Sequence, residues 1–146
     1  MKIAFFYGKQ PSSFLTRLFT GSACYHVAFV DEQAGMLYDM NLLRRRRKWP
    51  DEFAGHQYRL ADCPVAVGRD YLEARLTDDA SVYGWRDYLL FALRPLYHLV
   101  GRSTRNAGGE ICSEMVCNDL QANGWAVRFD EVPSPADLER LLLLRQ

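Results

Sequence analysis

The segment "CYHVAFVDEQAGMLYDMNLL", residues 24 to 43, limits the possible folds more than any other stretch. Two runs rich in aromatic, β-branched and other apolar residues flank a polar turn containing Gly35, the pattern of an antiparallel hairpin. Successive strand residues point to opposite faces, so Cys24, His26 and Ala28 are expected on one face and Tyr25, Val27 and Phe29 on the other. In the second strand Leu37, Asp39 and Asn41 alternate with Met36, Tyr38 and Met40. Matching the bulky apolar sets places His26 on the face that carries Asp39 and Asn41, directly opposite one of them depending on register. The small residues around His26 leave room for a helix to pack there.

The rest of the chain supplies material for both layers. "KIAFF" (2 to 6) reads as a buried strand, "HQYRLA" (56 to 61) as a further strand and "WAVRF" (125 to 129) as a last one. Helices are expected in "SSFLTRLFTG", "GRDYLEARL" and "YGWRDYLLFAL", and over residues 108 to 122. In "SPADLERLLLL" a serine N-cap is followed by Pro135 at the first helical position. The expected class is α+β, a small antiparallel sheet packed against helices. The 146 residues suffice for a single domain, 1–146, and no repeat or linker divides them.

Composition narrows the setting. With 49% hydrophobic residues, 25% charged and a formal net charge of zero, a general attraction to nucleic acid or anionic membrane is not expected. No uncharged segment approaches the roughly 20 residues of a membrane span, and the N-terminal apolar run lacks the h-region of a leader. A cytoplasmic setting is the default expectation. The four cysteines, at 24, 63, 112 and 117, show no CxxC pair and no paired metal-ligand spacing, so reduced thiols and no metal or other cofactor are expected.

"GGEICSEMVCNDL", residues 108 to 120, places Cys112 in the first turn of a helix, on a stripe with Met115, Val116 and Leu120. A thiol there feels the positive end of the helix dipole, which favours thiolate, although buried structural cysteine is the ordinary fate of this residue type. If the stripe faces the sheet, an imidazole from the hairpin comes within reach of the thiol. A polar group on the far ring nitrogen would then fix the tautomer, the general arrangement of a catalytic triad. The Cys112 backbone N–H is a candidate oxyanion donor, and Gly108 and Gly109 allow close approach of a substrate.

Together, "YHVAFV", the acidic strand "LYDMN" and the later "ICSEMV" resemble the circularly permuted papain-like enzymes of the NlpC-type cysteine peptidase superfamily. The resemblance is nearest to the YiiX and YaeF-like group, with lecithin:retinol acyltransferase-like proteins as more distant relatives. It spans roughly residues 20 to 45 and 108 to 140, and the order is the permuted one, histidine strand before cysteine helix. It implies Cys112 as nucleophile, His26 as base, Asp39 as third polar residue, and an amide or acyl bond as target. The family most often has glutamate where this chain has Asp39, so Asn41 stands as an alternative orienting residue.

Other features compete with this scheme or extend it. A Cys24/His26/Cys112 metal site is conceivable but has no recognised ligand spacing. Cys117 fits a core position better than a resolving thiol. The basic run "RRRRKW", from Arg44 through Lys48 to Trp49, is either a solvated loop balancing acidic residues or a binding element for an anionic group, with Arg44 and Arg45 as candidate substrate contacts. Trp85 lies on the apolar stripe of a helix that serves either as core or as the wall of an acyl pocket. The expected function is a thiol hydrolase acting through a thioester, foremost an amidase or peptidase of small peptide amides. Cell-wall peptides are favoured by the resemblance alone, which would require delivery to the envelope by a route other than a leader. The alternatives are a lipid acyltransferase or thioesterase and a non-catalytic binding module on the same fold.

Overall fold

A computed structural model describes residues 1–8, 22–41, 43–78 and 111–143. Five strands form one antiparallel sheet: β1 (Lys2–Tyr7), β2 (Cys24–Asp31), β3 (Met36–Asn41), β4 (Leu43–Lys48) and β5 (Gln57–Asp62), in the order β4-β3-β2-β1-β5. Three helices are described, α1 (Arg69–Asp78), α2 (Cys112–Ala122) and α3 (Pro135–Leu142). The expected helices around residues 12–21 and 83–93, with Trp85, Gly108 and Gly109, lie outside the described residues. None of the described helices is long and apolar enough to cross a membrane.

The continuous apolar run of β1 follows from its place between β2 and β5, covered on both faces. Ile3 and Phe5 join Val27, Phe29, Tyr38 and Met40 on one face, which packs against Met115, Val116 and Leu120 of α2 and Leu138 of α3. Each fully buried side chain of this size contributes about 1.5–3 kcal/mol. Ala4, Phe6, Ala28, Val30 and Leu37 line the other face, covered by Trp49 and by Phe53 of a short 3₁₀ turn, Asp51–Phe53. The helices therefore pack on the face of the bulky set, opposite to the expectation that small residues around His26 would receive them. Bulky aliphatic and aromatic rows on a sheet and a helix interdigitate and remove more apolar area from water.

The hairpin forms as the alternation predicts, with Phe29 opposite Tyr38 and Val30 opposite Leu37. Its turn needs glycine. Gly35 has φ 63°, and a Cβ there would stand 3.3 Å from the Trp49 carbonyl oxygen. One detail of the first strand departs from simple alternation. Phe6 pairs with His26 but Tyr7 pairs with Cys24, so the strand bulges at Tyr25 and Cys24 returns to the helix-facing side with Val27 and Phe29. Cys24 and His26 therefore do not share a face.

The basic run is a strand and not a loop. β4 pairs with β3 from Asn41↔Leu43 to Met36↔Lys48, and alternate arginines find acidic partners on opposite faces of the sheet. Arg44 and Arg46 meet Asp119 and Glu73 on the helix side, while Arg45 and Arg47 meet Asp39 on the other. Residues 125 to 129 alternate like a strand but form none. The Trp125 amide is taken by the Leu120 carbonyl, and Gln121 Nε2 donates to the Val127 carbonyl, so this backbone is satisfied from the end of α2. α3 starts as its sequence predicts, with Ser134 Oγ accepting from the Asp137 amide and Pro135 at the first position.

Candidate active site

Cys112 is the first residue of α2 and is partly buried. The turn that carries it is closed by Glu114, whose carboxylate accepts from the Ile111 amide at 3.1 Å. Apolar packing of Met115, Val116 and Leu120 against β2 and β3 seats the helix, and the thiol stands close enough to His26 near the start of β2 to act on its ring by charge and hydrogen bonding.

His26 occupies the position after the bulge, before the β2–β3 pairing begins at Phe29. Its ring packs near Phe6, 5.8 Å between centroids, and stacks beside Tyr25 at 6.4 Å. Nε2 donates to Asp39 Oδ2 at 3.3 Å, which leaves Nδ1 for the thiol. Burial disfavours the charged ring, but the Cys112 sulfur and the Asp39 carboxylate, each acting by charge and by hydrogen bonding, outweigh it and push the His26 pKa up to about 10.

Asp39 is 1% exposed and holds three cationic partners: His26, Arg45 through Nε to Oδ1 at 3.1 Å, and Arg47 through Nη1 to Oδ2 at 3.7 Å. Burial raises the pKa of a carboxyl, but His26 and then Arg45, each by hydrogen bonding and charge, prevail and hold Asp39 below its ordinary value. The shorter side chain thus reaches the ring. Asn41 is exposed at the end of β3, opposite Leu43.

The structure thus brings three predicted residues, Cys112, His26 and Asp39, to one place. Arg45 stands behind Asp39, and Arg44 is turned to the other face, 4% exposed, against Asp119. Arg47 was missed by sequence reasoning. The signal was present, since antiparallel pairing of the basic run with β3 sets every second arginine on the Asp39 face.

The other thiols differ from Cys112 in setting. Cys24 is fully buried, and its pKa is driven far upward by burial, then by the charges of Glu139 and Cys112. Burial also pushes Cys63 and Cys117 up to about 11. Among the described residues no group of three or more His, Cys, Asp or Glu could hold a metal ion.

Searches against protein families, curated proteins and solved structures find no match for this chain.

Proposed function

We propose that this chain is a thiol hydrolase of the permuted papain-like kind, an amidase or peptidase that cleaves small peptide amides through a thioester. The observation that carries the reading is the convergence of the Cys112 thiol and the Asp39 carboxylate on one imidazole, His26. In this scheme Nδ1 of His26 takes the thiol proton, the thiolate attacks the substrate carbonyl, and the tetrahedral oxyanion forms near the Cys112 amide at the start of α2. The imidazolium then protonates the leaving amine as the C–N bond breaks. Water, deprotonated by the same ring, hydrolyses the thioester and restores the thiol. Asp39 keeps Nε2 protonated throughout and so holds the tautomer in which Nδ1 is free to act.

Labelling with a limiting amount of iodoacetamide near pH 6, mapped by mass spectrometry, tests the pair directly. Cys112 is expected to react first among the four thiols, and His26→Ala to abolish that preference. Equal, slow labelling of all four in the wild type would sink the proposal. A panel of peptide amides and acyl esters, run against wild type and Cys112→Ala, then separates amide hydrolysis from lipid acyl chemistry.

A further inference from the structure

The basic run of β4 is unusual company for a catalytic carboxylate. Asp39 is almost wholly buried and presents one oxygen, Oδ2, to His26, while the other, Oδ1, is taken by Arg45 at 3.1 Å. Arg47 approaches Oδ2 from the same strand at 3.7 Å and is itself fixed by Glu52 at 2.9 Å and laid over the Phe53 ring at 4.4 Å. A ring that shuttles protons has to release its proton as readily as it takes one up. His26 faces a thiol that becomes anionic from α2 and a carboxylate from β3, two groups that both favour imidazolium. Without a compensating cation, that pair would tighten the hold of the ring on its proton further.

We propose that Arg45, seconded by Arg47, is a positioning residue of this site: it fixes Oδ1 so that Oδ2 meets His26, and offsets part of the carboxylate charge, which weakens the hold of the ring on its proton. The inference rests on the thiol hydrolase reading for its purpose, but not for its measurement. Among the described residues the charged or titratable groups facing His26 are Cys112 of α2 and Asp39 of β3, with Tyr25 beside it on β2. Those facing Asp39 besides the ring are Arg45 and Arg47, and Glu52 faces Arg47. One step further out, the charge of Glu139 of α3 acts on Cys24, as does that of Cys112. A lysine in place of Arg45 keeps the charge that faces Oδ1, because the contact uses a single nitrogen, Nε. A neutral side chain does not.

The test is NMR titration of the His26 ring in the full chain, with its signals assigned by their loss in His26→Gln. Removing a cation favours the protonated ring, so Arg45→Met is expected to move the His26 midpoint upward by about half a pH unit, the size of one partly screened charge at short range. Arg45→Lys is expected to stay near the wild-type midpoint. Arg45→Gln gives a second neutral variant should Arg45→Met fold poorly. A midpoint unchanged or lowered in the neutral variants overturns the proposal, as does an Arg45→Lys shift equal to theirs. The titration reads the ring and not turnover. An unreactive Cys112 would therefore defeat the hydrolase reading alone, and a flat titration would defeat this inference alone.

Discussion

Arg44 grips Asp119 with both terminal nitrogens, Nη1 to Oδ2 at 2.6 Å and Nη2 to Oδ1 at 3.2 Å, in a setting where the two side chains are 4% and 1% exposed. Asp119 lies seven residues after Cys112, about two turns down the same helix, so this fork ties the edge strand β4 to the element that carries the nucleophile. Tyr71 and Arg75 of α1 meet the same carboxylate, at 3.0 and 3.5 Å. Three elements thus close on one buried charge.

Breaking that fork should be costly, because a buried carboxylate that loses its main partner is not resolvated. Arg44→Met is expected to lower unfolding stability by about 3 kcal/mol, somewhat relieved by the remaining Tyr71 and Arg75 contacts. Arg46→Ala is the control. Its pair with Glu73 is 50% and 34% exposed, and its loss should cost no more than about 1 kcal/mol. Urea titrations of both variants check the contrast, and equal costs would remove the structural role assigned to Asp119.

Asp39→Asn separates the charge of the third residue from its shape. The amide oxygen can still accept from Nε2, but the charge-assisted bond becomes a neutral one and the imidazolium loses its anion. With the ring less able to carry a positive charge beside it, Cys112 is a poorer nucleophile. Its alkylation by iodoacetamide near pH 6 should slow about tenfold, the equivalent of about 1.4 kcal/mol. Asn41→Ala, at an exposed position, should leave the rate within about twofold of wild type. The reverse ranking would transfer the orienting role to Asn41.

Much of this arrangement is legible from alternation alone. The hairpin, its turn at Gly35 and the placing of His26 with Asp39 on one face follow from residues 24 to 41, and the N-terminal position of Cys112 on its helix from the stripe it shares with Met115, Val116 and Leu120. The bulge at Tyr25 is not legible, since it adds no residue type that simple alternation would flag, yet it moves Cys24 across the sheet. β4 escapes for another reason. Consecutive arginines carry no hydrophobic period, and their strand is held by ion pairs to Asp39, Glu52, Glu73 and Asp119, partners 5 to 75 residues away that only the fold assembles. The stretch from Trp125 to Phe129 has the alternation without a strand to pair with among the described residues, because its nearest free backbone groups belong to the end of α2.

The same carboxylate makes a prediction about acid. Asp39 titrates below its ordinary value in the folded chain, so the folded state binds fewer protons there than the unfolded state as the pH falls through the carboxylate range. Its contribution to stability is therefore complete above about pH 4, the unfolded value, and is lost as the pH drops through the folded value, with a slope of at most about 1.4 kcal/mol per pH unit. His26 works in the opposite sense, its raised pKa adding stability below about pH 6.5 that disappears at alkaline pH, so a comparison confined to pH 5 and below keeps the ring charged and isolates the carboxylate. Urea unfolding of wild type and Asp39→Asn at pH 5, 4, 3 and 2.5 should show the stability gap full at pH 5 and shrinking below about pH 4 as the wild-type carboxylate is neutralised. A gap that stays constant down to pH 2.5 would mean that the side chain of residue 39 acts by shape, and that its ion pairs with His26, Arg45 and Arg47 contribute nothing to the folded state.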